Sequence, residues 1–128
     1  MKRDMEVIRK VLLAIEEQYE DVAIYDLKVE DLGMKTIAYH CNLLYNAGYV
    51  NDYKAQYVES ELYSFGVSSL TWEGHEFLDK IRDDSIWNKT KEQIAKKGLP
   101  MVIDVVKDIA TSVISEMTRV AIIGVTGP

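Results

Sequence analysis

With 128 residues, 48% of them apolar and 28% charged, the chain has the make-up of a folded domain and not of a disordered segment. A net charge of −6 argues against broad affinity for nucleic acid, and a single cysteine, Cys41, excludes an internal disulfide and fits a reducing cytoplasm. The opening MKRDMEVIRK is too charged for a signal peptide, and Leu99 to Val125, the most apolar stretch, is interrupted by Asp104, Lys107, Asp108, Glu116 and Arg119, so no membrane span is expected.

The acidity is uneven. Residues 1–48 carry six basic and nine acidic side chains, residues 49–84 three and eight, and residues 85–128 six and four.

A first helix is expected where Met5, Ile8, Leu12, Ile15 and Tyr19 recur at spacings of three and four, with Asp4 as its N-cap. The following DVAIYDLKVED puts β-branched residues between acids and predicts one short strand near Val22–Leu27. A second helix spans Gly33 to Ala47 and closes at Gly48. At about 100° per residue, Ile37, His40, Cys41, Leu44 and Ala47 share one face, and Lys35, Tyr39, Asn42 and Asn46 share the opposite one. From Tyr49 to Thr71 aromatic and β-branched residues alternate around a charged break at Glu59–Glu61, the pattern of a β-hairpin, though without an Asn-Gly turn.

Thr71 then caps a helix to about Arg82 that buries Phe77, Leu78 and Ile81, and Asp83–Ser85 marks a break and a new cap. A polar helix follows from Ile86 to Lys97, Gly98 stops it, and Pro100 is expected to open the last helix. That helix carries Val102, Val106, Ile109, Val113, Met117 and Val120 on a wide apolar stripe, which must cover the domain's own core or a second copy of the chain.

In this order the elements spell an α+β, mostly helical chain: a winged-helix-like domain with a β-hairpin wing over residues 1–84, then a C-terminal helical extension over 85–128 with an oligomerisation helix at 100–123. The middle helix of a winged helix has no counterpart between Tyr19 and Gly33, so the fold is expected to be reduced there.

LTWEGHEFL, residues 70–78, gathers the side chains that most suggest chemistry. Thr71 suits an N-cap, Glu73 the positive end of the helix dipole, Gly74 a close backbone approach, and Trp72 and Phe77 core area. His75 lacks the second histidine four residues away that a helical zinc site requires, and His40 and Cys41 point about 100° apart on their helix. No phosphate loop or Gly-x-Ser-x-Gly motif is present, so no enzyme, metal or cofactor is expected.

MKRDMEVIRKVLLAIEE, IAYHCNLLYNAGYV, LTWEGHEFLDKIRDDSIWNK and KKG together resemble an uncharacterised family, a domain of unknown function, found in phages and prophages of Gram-positive bacteria. The resemblance covers roughly residues 1–115 and implies a winged-helix-like fold and a mobile-element origin. It carries no established activity or site residues. Gly33 stands where the family tends to have a serine cap.

Two readings of function follow. The first is a dimeric, cytoplasmic winged-helix DNA-binding or regulatory protein, with Lys2, Arg3, Lys35 and Lys54 converging on double-stranded DNA beside Tyr39, Asn42 and Asn46. The alternative is an acidic interaction module that binds a host or phage protein through Tyr53, Tyr57, Tyr63 and Phe65 of the hairpin. In either reading Val106, Ile109, Val113, Met117 and Val120 form the homodimer interface.

Overall fold

The computed structural model describes residues 1–126. The chain forms two compact units, Met1–Leu78 and Asp79–Pro128. The boundary between these units falls inside the helix Trp72–Ile81.

The first unit begins with α1 (Met5–Gln18), β1 (Ile24–Tyr25) and α2 (Met34–Asn46). It continues with the hairpin β2 (Tyr53–Val58) and β3 (Glu61–Val67), and with the start of α3 (Trp72–Ile81). Asp4 caps α1, its carboxylate accepting from the Glu6 N–H at 2.9 Å. The buried surface of α1 is wider than one stripe, since Val7, Val11 and Ala14 are buried along with Met5, Ile8, Leu12 and Ile15. α2 packs against α1 and buries Ile37, Ala38, His40, Cys41 and Leu44. Gly48, at φ +82, ends α2 in the left-handed conformation that favours glycine.

Buried His40 is fully satisfied. Its Nδ1–H donates to the Thr36 carbonyl at 2.7 Å, and its Nε2 accepts from the Asp4 N–H at 3.0 Å. The second bond fixes one neutral tautomer and ties the start of the chain to α2.

Between α1 and α2 the described chain forms no helix, as the sequence leads one to expect. A strap takes its place: β1 pairs antiparallel with β3 through Ile24↔Val67 and Tyr25↔Gly66, and Leu27 is buried. Asp26, at φ 53, holds the strap by donating its N–H to the Phe65 carbonyl at 2.8 Å. Its carboxylate accepts from the Phe65 N–H at 3.0 Å and from the Ser64 hydroxyl at 2.9 Å. The sheet order is β1-β3-β2, which gives the winged-helix-like arrangement with β2 at one edge.

The hairpin turns on two residues, Glu59 and Ser60, both left-handed at φ 51 and 68. Two successive positive φ values are what a primed two-residue turn needs, here without its usual Asn-Gly. A register shift at Gln56/Tyr57 leaves Tyr63 as the unpaired residue of β3.

Thr71 caps α3: its hydroxyl accepts from the Gly74 N–H at 3.0 Å and donates to the Gly48 carbonyl at 2.7 Å. A Cβ on Gly74 would run into the Tyr49 carbonyl oxygen, so the glycine is required by a close backbone approach. Phe77 is buried and stacks on Tyr49 with 5.4 Å between ring centroids. Trp72, expected in the core, is instead 76% exposed. Five positions along a helix turn it about 140° away from Phe77.

The second unit holds α4 (Asp84–Lys96) and α5 (Ile103–Thr126), which pack on each other. Asp83 caps α4, accepting from the Ile86 N–H at 3.0 Å. Trp87, Thr90 and Ile94 of α4 and Val106, Ala110 and Val113 of α5 are buried. Pro100 does not open α5, which starts three residues later. It follows Gly98 (φ +66) at the position where proline terminates a helix after a left-handed cap. The expected interface residues divide. Val106 and Val113 are already buried within the chain, so they are closed to a second copy; Ile109 is half-buried, and Met117 and Val120 are exposed. Among the described residues no helix is long and apolar enough to cross a membrane.

A groove between helix α2 and the hairpin

The outward face of α2 and the inward face of the hairpin enclose a groove of about 320 Å³. α2 contributes Lys35, Tyr39 and Asn42, spaced four and three apart and therefore on one face, with Ala38 beside them. β2 contributes Tyr53 and Tyr57, and Ser60, Glu61 and Leu62 come from the turn and the start of β3. Met1 closes one side, where the chain start is held by the His40 bond.

One ion pair bridges the two walls. Lys35 Nζ lies 2.9 Å from Glu61 Oε2, with both side chains mostly exposed. The Glu61 carboxylate raises the Lys35 pKa above the ordinary lysine range, and the Lys35 ammonium lowers that of Glu61. Burial pushes the Tyr53 hydroxyl up to about 12, helped by Tyr57 and Cys41, so Tyr53 is a neutral phenol. Burial likewise raises the Cys41 thiol to about 12, leaving a protonated small apolar group and no ready nucleophile.

The anticipated DNA contacts come together only in part. Lys35, Tyr39 and Asn42 line the groove, while exposed Asn46, a turn further along, does not. Lys2 and Arg3 are exposed beside Met1 at its margin. Lys54 does not converge with Lys35, because it is the strand neighbour of Tyr53 and points to the other face of the hairpin. The four expected hairpin aromatics also separate: Tyr53 and Tyr57 line the groove, Phe65 is core, and Tyr63 is exposed at the bulge.

Lys35 is the only Lys or Arg of α2, and Glu61 offsets it. Residues 1–78 as a whole carry seven Lys and Arg against fourteen Asp and Glu, a net charge of −7. His75 is half exposed, with Nδ1 3.9 Å from Glu16 Oε2. Among the described residues no group of three or more His, Cys, Asp or Glu side chains is placed to hold a metal ion.

These features define the class as a mostly helical α+β protein with a winged-helix-like arrangement and a tyrosine-lined groove beside its second helix. The chain belongs to the family described as Hypothetical protein (DUF2513), which matches residues 2–100. An uncharacterized protein of Haemophilus influenzae (strain ATCC 51907 / DSM 11121 / KW20 / Rd) is 36% identical over 118 residues, covering 91% of this chain and 98% of that protein. Coverage of that extent carries the likeness past residue 100 into α5. No solved structure matches.

Proposed function

We propose that this chain is a non-enzymatic binding module that takes a protein segment into the groove between α2 and the hairpin. The observation that carries the reading is the Lys35–Glu61 pair: the one cation of the helix face that would read DNA is offset by a carboxylate of the wing itself. The surrounding unit, at −7, would repel a phosphate backbone, whereas a groove lined by Tyr39, Tyr53 and Tyr57 offers the rigid amphipathic area that protein interfaces favour. Action in the cytoplasm on a host or phage protein, in a phage or prophage setting, belongs to the same proposal. So does a homodimer through the part of α5 beyond Val113, where Met117, Val120 and Ile123 are exposed.

One observation favours DNA as a second reading: Met1 lies in the groove, so Lys2 and Arg3 form a short basic arm next to α2. Backbone amide shifts separate the two readings when the protein is titrated with duplex DNA at about 0.15 M salt and, in parallel, with peptides selected from a displayed random library. The protein reading expects peptides to shift Tyr39, Asn42 and Tyr57, with duplex leaving them unmoved. Saturable duplex binding that shifts α2 at that salt would replace it with the DNA reading.

A further inference from the structure

The Lys35–Glu61 pair also bears on which segment the groove takes. Resting on the reading of the groove as a protein-binding site, we infer that its occupant carries an arginine or lysine whose cation displaces Lys35 from Glu61.

The pair itself is the first observation. An ammonium already sits 2.9 Å from the Glu61 carboxylate at the groove wall, so the site accepts a cation in that position. Both partners are more than 60% exposed, and an exposed pair of this kind is weak enough to exchange with an incoming ligand.

The surroundings of Glu61 favour a cation as well. Tyr39, Tyr53 and Tyr57 line the same groove and supply the aromatic faces on which a guanidinium or ammonium rests. Tyr53 stays a neutral phenol, and the Asn42 side-chain carbonyl adds an uncharged acceptor. At the hairpin tip Glu59 lies two residues from Glu61, and the unit's charge of −7 steers cationic segments toward it. An anionic segment would meet Lys35, the one cationic side chain among the groove-lining residues, and would face the Glu61 carboxylate on the opposite wall.

The test measures, by calorimetry, the affinity of a library-selected peptide that shifts groove amides, for the full chain and two surface variants. Glu61→Gln is expected to weaken binding about tenfold, as is replacing the peptide's arginine or lysine by a neutral analogue. Lys35→Met, which frees Glu61, is expected to tighten binding two- to fivefold, about what an exposed ion pair withholds. The opposite signs, weaker with Lys35→Met and tighter with Glu61→Gln, would assign an anionic occupant and overturn the inference. A groove-binding peptide indifferent to both variants would overturn it too while leaving the protein-binding reading intact. Failure of every selected peptide to reach the groove would remove both.

Discussion

Replacing Gly74 with alanine tests the join between α2 and the start of α3. In an ordinary helix interior the change stabilises by about 1 kcal/mol, because glycine loses more backbone entropy than alanine. Here the new methyl would overlap the Tyr49 carbonyl oxygen and stand 3.1 Å from its carbon and 3.3 Å from the Leu70 Cβ. Backbone cannot swing aside as a flexible side chain can. Relief requires α3 to retreat from Tyr49, which strains the Thr71 N–H bond to the Tyr49 carbonyl (3.0 Å), the Thr71 hydroxyl bond to Gly48 (2.7 Å) and the Tyr49–Phe77 stack. Overpacking of about 1–3 kcal/mol and two weakened hydrogen bonds of about 0.5–1.5 kcal/mol each outweigh the propensity gain, for a net loss of about 1–5 kcal/mol. For a chain of this size that lowers the melting temperature by roughly 4–20 °C in a circular-dichroism melt. Gly124→Ala is the control of opposite sign: nothing lies within 4 Å of its added Cβ, and stability should hold or rise by up to about 1 kcal/mol. A Gly74→Ala protein that melts at or above the parent temperature would refute the close approach and the docking of α3 built on it.

Three further predictions concern the core, the strap and α5. Leu44, buried on the α2 face that meets α1, should cost about 2–5 kcal/mol on replacement by alanine, read from urea midpoints. An unchanged midpoint would count against that core. The Phe65 N–H and the Ser64 hydroxyl hold the Asp26 carboxyl below its ordinary value of 3.8. The stability this supplies is therefore complete above pH 3.8 and is lost as pH falls from there through the lower folded-state value. Asp26→Asn should flatten the acid limb of the stability–pH curve, and a limb as steep as the parent's would show that Asp26 does not hold the strap. For α5, the double change Val120→Asp with Ile123→Asp should halve the mass seen by light scattering and leave the helical content read by circular dichroism unchanged, since both residues are exposed within the single chain. A parent chain that is monomeric at every concentration would end the dimer proposal.

Local rules were enough for much of this chain. The three-and-four spacing from Met5 to Ile15, the Asp4, Thr71 and Asp83 caps and the stops at Gly48 and Gly98 all depend on residues within a turn or two of one another, and each is present in the structure. The gap between α1 and α2 was legible for the same reason, because no helical period runs through residues 20–32. Even the close approach at Gly74 was foreshadowed, since a glycine inside a helix needs a reason that side-chain spacing does not supply.

The groove was legible only in halves. The spacing of Lys35, Tyr39 and Asn42 shows the outward face of α2, but no local signal joins Lys35 to Glu61, 26 positions away, or brings Met1 to the same wall. Tyr53 and Tyr57 share a face of β2 by simple alternation, but the register shift at Gln56/Tyr57 leaves Tyr63 of β3 outside the pairing, and strict alternation cannot anticipate a bulge. Trp72, Val106 and Val113 were misplaced because an apolar residue records that burial is favourable, not which surface is near enough to provide it. Periodicity along the chain determines which residues share a face. Which faces meet, and therefore where charge and aromatic area collect into a site, is decided by contacts between residues far apart in sequence, and only the tertiary structure contains those.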